Sequence, residues 1–286
     1  MIDGALLRNS CLMLVEINIH NLEIYQREFE SDLLVQTRQY YASESQTFIA
    51  ANSVADYLRQ AESRLLEEEA RADRYFDKSS KAKLRSILQD ELIVKYASRL
   101  VHDPASGAAH MLTTGAVDDM ARMYSLFCRE PATLVDLRDC LSAIVKASGT
   151  AIVNDREHAR QPRLFVEKVL ECRSHFLRFV ELAFKQDRNF ARVLKDALEY
   201  FINLDTRAAH YLALFTDDLL RKQQAQHSAG LSDQVRTHAQ CSSDTPVRAI
   251  DRWINRQPSI LSDLICVLSL LSLFFFFSSA RPSIPS

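Results

Sequence analysis

Residues 1–222 are almost free of the two residues that interrupt regular helices. The whole 286-residue chain has five glycines and seven prolines, and four of the prolines, Pro246, Pro258, Pro282 and Pro285, lie beyond residue 240. Glycine and proline form the tight turns of hairpins, so a region with so few of them lacks the turns that a β-sandwich or barrel needs. We therefore predict an all-α fold for residues 1–222.

Apolar residues in this region recur at intervals of three and four, which is the spacing of a helix that buries one face. The connections between these stretches are short, which predicts neighbouring antiparallel helices packed as a bundle. We predict a loop at 102–110 and expect Gly149 to close the helix that precedes it. The predicted helices are 3–17, 25–51, 55–77, 81–101, 116–130, 134–148, 162–184, 188–204 and 208–222.

The segment ADYLRQAESRLLEEEARADRYFD, residues 55–77, shows this pattern most plainly. Ser53 and Asp56 are spaced as a capping box, in which each side chain bonds a free backbone amide of the first turn. The acidic run Glu67–Glu69 could suggest a metal or acid–base cluster, but consecutive helical residues point in different directions. A solvated face is the better interpretation of that run.

Composition excludes several classes of function. The 35 lysines and arginines nearly balance 37 aspartates and glutamates, so no basic field attracts nucleic acid. The six cysteines form no CxxC pair, which predicts reduced thiols in a cytoplasmic and/or nuclear protein. No metal-ligand spacing, phosphate loop or nucleophile elbow occurs, so we expect no catalytic residue, no metal, no cofactor and no enzymatic activity.

Residues 223–286 form an unpatterned, low-complexity C-terminal tail with an apolar run at 260–277. That run is at the lower length limit for a transmembrane helix and contains Asp263. One interpretation is a tail anchor with Arg252 and Arg256 on the cytosolic side, and another is an ordinary buried helix. We favour a third, in which the tail was never selected to fold, as in an intron or frameshift read through by a gene model.

Three segments, in order, resemble the cullins, the elongated scaffolds of multisubunit RING ubiquitin ligases. They are 29–77, 118–130 and 188–222, and the second contains MYSLFCR, which has the family's M-Y-x-L-F-x-R pattern. The resemblance is strongest to the third class of cullins, which pairs with BTB-type adaptors. The signature residues that carry it are Tyr57, Leu58, Arg64, Leu65, Glu67, Glu68, Met123, Tyr124, Leu126, Phe127, Arg129, Phe190, Glu199, Phe201 and Asn203.

The resemblance implies stacked five-helix cullin repeats that form an elongated stalk. Residues 1–24 would be the end of a first repeat, 25–131 a second repeat and 132–222 an incomplete third, followed by the non-cullin tail. The signature residues would be structural. The implied function is a scaffold segment of a cullin-RING ligase complex in ubiquitin-dependent protein catabolism. The alternative is a non-enzymatic helical interaction protein that its C-terminal hydrophobic segment tethers to a membrane.

The resemblance also limits which partners are expected. In cullins the first repeat contacts the adaptor, and a C-terminal domain binds the RING subunit and receives NEDD8 on a lysine. This chain joins the family pattern near the end of the first repeat and leaves it at about Lys222, so we expect a truncated scaffold. Adaptor binding, RING recruitment and modification by NEDD8 are therefore not carried over to it.

Overall fold

The computed structural model describes residues 4–17, 21–155, 161–208 and 210–215, together with 217, 218 and 221. Regular structure in this part of the chain is helical and includes no strand, which confirms the all-α prediction. The tail at 223–286, with its apolar run at 260–277, lies outside the described residues. Repeat boundaries at 24, 131 and 222 stay predictions.

Eleven α-helices occur in the described ranges, with π-helical turns at Gln26–Glu30 and Phe179–Ala183 and 3₁₀ turns at Val94–Tyr96 and Pro131–Thr133. Helical backbone also occurs at 208, 210–215, 217, 218 and 221, where the last helix was predicted. The helices are α1 Gly4–Glu16, α2 Glu23–Tyr25, α3 Ser31–Ala51, α4 Val54–Tyr75, α5 Lys78–Leu92, α6 Ala97–His102, α7 Ala108–Thr114, α8 Val117–Phe127, α9 Leu134–Asn154, α10 Pro162–Arg178 and α11 Arg188–Ile202.

The chain divides into two compact units. Of the described residues, those up to Leu141 and those from Arg178 to Phe190 form unit 1, and those from Ser142 to Leu177 and from Ala191 onward form unit 2. In unit 1, α4 packs on α3, α5 and α8. Its inward face includes Leu58, Ala61 and Leu65, all fully buried. Burying a leucine side chain is worth about 1.5–3 kcal/mol, so this face supplies much of the unit's stability.

The start of α4 is capped from two directions. The Ser53 hydroxyl accepts the Asp56 N–H at 3.2 Å and donates to the Asp56 carboxylate at 2.6 Å. The Val54 N–H donates to Ser106 Oγ at 3.0 Å, from 52 residues further along the chain. The predicted cap at Ser53 is therefore present. In a capping box the Asp56 carboxylate would accept the Ser53 backbone N–H, but here it accepts the Ser53 hydroxyl.

Two predictions between residues 81 and 114 are wrong. The single helix predicted at 81–101 is broken after Leu92, because the backbone of buried Ile93 leaves the helical region at φ −120° and ψ −63°. The loop predicted at 102–110 ends early, since α7 begins at Ala108. Gly107 permits this close turn, as a Cβ there would lie 2.4 Å from the Asp103 carbonyl oxygen.

Unit 2 has a core of aromatic and aliphatic residues from α10 and α11, including Phe165, Val169, Leu198 and Phe201. Gly149 was expected to end a helix, and that expectation is wrong because α9 continues to Asn154. A Cβ built on Gly149 would lie 2.0 Å from Cδ1 of Phe201. The glycine therefore makes room for a ring and does not terminate a helix.

Candidate functional site

Helix α4 carries polar side chains that link it to other helices of unit 1. The Tyr57 hydroxyl donates to the Leu92 carbonyl oxygen at 2.9 Å. This carbonyl lies at the break after α5, where the Tyr96 N–H that would continue the helix bonds the Ile93 carbonyl instead. Burial raises the pKa of Tyr57 to about 12, so the hydroxyl keeps its proton and remains a donor. Tyr57 thus satisfies a carbonyl that the broken helix leaves without its usual partner.

Glu68 is the second tie, and it corrects the interpretation of the run Glu67–Glu69 as a solvated face. Glu67 is exposed and Glu69 half-buried, but Glu68 is buried. Its carboxylate accepts the Tyr41 hydroxyl of α3 at 2.7 Å and also pairs with Arg71. Burial and then the hydrogen bond to Glu68 raise the pKa of Tyr41. The three carboxylates do point in different directions, and one of them points inward.

Arg64 links two helices by donating two hydrogen bonds to a single carboxylate oxygen. Its Nε and Nη2 atoms donate to Oε1 of Glu44 on α3 at 3.1 and 2.7 Å. Its Nη1 donates to Glu67 Oε2 on its own helix at 2.9 Å. A planar guanidinium held at three points has little freedom, so this contact fixes the spacing between α3 and α4.

A fourth tie joins α8 to the turn before α11. The Tyr124 hydroxyl donates to Asp187 Oδ2 at 3.0 Å. The ring of Tyr124 meets Phe184 and Phe190 edge-on, each at 5.5 Å between centroids, and these two rings stack at 4.2 Å. Burial and the hydrogen bonds to its neighbours raise the pKa of Tyr124, which therefore stays protonated.

All the apolar and aromatic signature residues are buried, at positions Tyr57, Leu58, Leu65, Met123, Tyr124, Leu126, Phe127, Phe190 and Phe201. Of the polar ones, Glu68 is buried, Arg64, Arg129 and Glu199 are half-buried, and Glu67 and Asn203 are exposed. Sequence analysis missed Tyr41, Glu44 and Asp187 as partners in the ties. No local signal marks a contact between residues that lie 20 to 63 positions apart.

The described residues line a small cavity as well as larger, open surface grooves of about 720 and 450 Å³. A cavity of about 70 Å³ lies between α4 and α5, lined by Glu68, Asp73, Lys81 and Arg85 among others. That volume suits a few water molecules and is far smaller than a ligand pocket. No group of three His, Cys, Asp or Glu side chains in the described part of the chain could hold a metal ion. None of its described helices is both long and apolar enough to cross a membrane.

In the described part of the chain every regular element is helical and packs on other helices, as in helical-repeat proteins. The chain belongs to the cullin family, because the Cullin alpha solenoid domain matches residues 1–241. It is 37% identical to Cullin-3B of Arabidopsis thaliana over 222 residues, which are 78% of this chain and 30% of that protein.

Two further relatives agree with this assignment. Cullin-3 of Dictyostelium discoideum is 32% identical over 222 residues, covering 78% of this chain and 29% of that protein. Cullin-2 of Arabidopsis thaliana is 28% identical over 235 residues, covering 77% and 32%. Among these three, identity is higher with the two Cullin-3 proteins, as the resemblance to the third class predicted. The chain spans about 30% of the length of the relatives that it matches.

Proposed function

We propose that the chain is a scaffold segment of a cullin-RING ubiquitin ligase complex and serves ubiquitin-dependent protein catabolism by binding other proteins. The match of the Cullin alpha solenoid domain to residues 1–241 is the observation that carries the proposal. The identities of 37% and 32% with two Cullin-3 proteins support a complex of the class that uses BTB-type adaptors. We propose the cytoplasm and/or nucleus as its location.

The mechanical role of such a segment is to hold bound proteins at a fixed spacing. Three contacts connect helices directly. They are the bond from Tyr57 to Leu92, the paired hydrogen bonds from Arg64 to Glu44, and the bond from Tyr41 to the buried Glu68. We propose that the signature residues act in this way, as stiffening elements, since the apolar ones are buried and several polar ones form these ties.

We propose no catalytic role for any residue of the chain. Ubiquitin transfer would require a RING subunit, and in the cullin resemblance that subunit binds a C-terminal domain. The adaptor and the RING subunit are therefore proposed as members of the complex, without a binding surface for either on the described residues.

A segment exchange tests this function directly. The 222-residue segment of Cullin-3B that matches this chain would be replaced by the matched segment of this chain, and the chimera assembled with an adaptor, a RING subunit and a charged conjugating enzyme. We expect ubiquitin transfer to a substrate to be retained. The matched negative control carries Leu65→Asp, which places an unpaired charge in the core. A chimera that folds but transfers no ubiquitin would contradict the proposal.

The alternative, a membrane-tethered interaction protein, depends on the run at 260–277 alone. The scaffold function is favoured because the family match covers residues 1–241, most of the chain. Fusing residues 250–286 to a soluble reporter separates the two functions. We expect aggregation or a diffuse signal, and carbonate-resistant membrane association would support the alternative.

A further inference from the structure

Three ion pairs join α4 to α8 and the turn that follows α8, and we call them the register ladder. Each pair brings together residues that are 60 positions apart in the chain. The pairs are Arg59 Nη2 with Asp119 Oδ1 at 3.2 Å, Glu62 Oε2 with Arg122 Nε at 2.9 Å, and Glu69 Oε1 with Arg129 Nη1 at 3.1 Å.

The constant separation shows how the two helices are aligned. From one pair to the next, the position advances by three and then by seven residues in both segments, and the second step reaches Arg129 in the turn after α8. Both steps are close to whole helical turns, so the charged residues on each helix lie along one face. The two helices therefore run in the same direction, and the ladder reports their register.

Apart from the contacts of Tyr124 with Asp187, Phe184 and Phe190, which also hold α8, the apolar periodicity of the two helices does not discriminate between neighbouring registers. α8 buries Met120, Met123 and Phe127, and α4 buries Leu58, Ala61 and Leu65. Both series repeat every three or four residues. A shift of α8 by one turn would place apolar residues opposite apolar residues again, as it does in coiled coils, where a polar position often decides the register.

The charges behave differently under the same shift. If α8 moved so that paired residues were 63 apart, Arg59 would face Arg122. If it moved the other way, to a separation of 57, Glu62 would face Asp119. Like charges are repelled in both shifted registers, whereas all three pairs attract in the native one. We propose that the register ladder specifies the alignment of α8 on α4 by penalising one-turn slips in both directions.

Because the side chains of the ladder are partly exposed, the ladder mainly selects one register and adds little to stability. The side chains of its pairs are between 23 and 53% exposed, a range in which ion pairs add little net stability. Pairs within each helix hold the ladder side chains in place, with Arg59 on Asp56 at 2.6 Å and Arg122 on Asp119 at 3.1 Å. Discrimination between registers does not require a large contribution to stability, because it depends on the difference between attraction and repulsion.

The double variant Glu62→Arg/Arg122→Glu separates stabilisation from specification. In the native register the exchanged pair still attracts. In the slipped registers, however, Arg59 would face the carboxylate introduced at position 122, and Asp119 would face the guanidinium introduced at position 62. Both penalties thus become attractions. A ladder that only stabilises predicts a single native register for this variant, with some loss of stability because the carboxylate introduced at position 122 repels Asp119. A ladder that specifies register predicts a mixture of registers.

Methyl NMR of the full chain, labelled at its methionine methyl groups, reads the register directly. The chain has five methionines, and Met120 and Met123 are both buried on α8, whereas Met13 on α1 serves as an internal reference. We expect the double variant to show a second set of signals for Met120 and Met123 and one signal for Met13. A single set with native shifts would overturn the proposal.

Two further variants complete the test. The variant Glu69→Gln/Arg129→Gln removes one ion pair but leaves the repulsion in both slipped registers intact. It should therefore show a single set of methionine signals. If Met120 and Met123 gave two sets of signals, as in the exchange variant, the proposal would be overturned. Arg122→Gln removes the penalty at a separation of 63 without placing like charges within one helix. It remains informative if the exchange variant does not fold, and a single native set of signals for it would also overturn the proposal.

Discussion

Gly149 and Phe201 fit together so closely that no side chain can be added between them. A Cβ on Gly149 would lie 2.0 Å from Cδ1 and 2.1 Å from Cγ of the fully buried Phe201 ring. The atoms beneath the glycine belong to a rigid ring, so they cannot move aside as a flexible chain would. The absence of a side chain at position 149 is thus a packing requirement.

Gly149→Ala should therefore destabilise the protein by about 2 kcal/mol, although alanine favours a helix by about 1 kcal/mol over glycine. Chemical denaturation followed by circular dichroism measures the change. Ser148→Ala, at a half-buried site on the same helix, is the control and should change stability by less than about 0.5 kcal/mol. Combining Gly149→Ala with Phe201→Leu should cost less than the sum of the two. Strict additivity would show that the ring is not the obstacle.

Tyr57→Phe should reduce stability by about 1–2 kcal/mol, because it removes the donor to the Leu92 carbonyl while leaving the ring in place. The matched control is Tyr40→Phe, whose side chain is 56% exposed, and it should have almost no effect. Hydrogen exchange gives a second measurement, since protection should fall around residues 92–97. Equal effects of the two substitutions would argue against the proposed role of the Tyr57 hydroxyl.

Lys185→Gly should stabilise the protein by about 1 kcal/mol. Lys185 and Gln186 have φ values of 50° and 59°, in the left-handed region that disfavours residues with a Cβ. The Gln186 N–H donates to the carbonyl of Val180, six residues earlier, at 2.9 Å, and this bond closes the turn that follows the π-helical segment Phe179–Ala183. The control is Lys195→Gly, exposed within α11, which should destabilise by about 0.7 kcal/mol. The same sign for both substitutions would refute this account of the turn.

Asp103→Asn should reduce the loss of folding stability that occurs as the pH falls from 7 to 3. The hydroxyl and the backbone N–H of Ser106 both donate to Asp103 Oδ2 at 2.8 Å and lower the pKa of the carboxyl group. A pKa lower in the folded than in the unfolded state contributes stability above about pH 4, and this contribution is lost as the pH falls through the folded value. The variant should be less stable than the native chain at pH 7, and the gap should narrow towards pH 3. Parallel curves between pH 7 and pH 3 would exclude a contribution from this carboxylate.

The sequence was sufficient for features that depend on neighbours along the chain. The scarcity of glycine and proline, the apolar periodicity and the cap at Ser53 predicted the all-α fold and the start of α4. Features that depend on distant partners could not be predicted. The break at Ile93 is compensated by Tyr57, 35 residues away from Leu92, and Gly149 is explained only by Phe201.

The same limit applies to the candidate site. Tyr124 and Phe190 were both recognised as signature residues, but nothing in the sequence indicated that their rings would touch or that Asp187 would accept the Tyr124 hydroxyl. Glu68 was predicted to be solvated because both of its sequence neighbours are acidic. Glu67 is exposed and Glu69 is half-buried, but the side chain of Glu68 is buried. In each case tertiary packing decided the role of a residue whose local pattern was ambiguous.

The register ladder restricts where residues can be inserted or deleted in this sequence during evolution. Deleting one residue inside α4 or α8 would rotate every later side chain by about 100° and misalign all the pairs beyond it. Adding residues to the connections between Phe76 and Ala116 would leave both charged faces intact. Insertions and deletions among descendants of this sequence should therefore collect in those connections, while the spacings 59–62–69 and 119–122–129 persist.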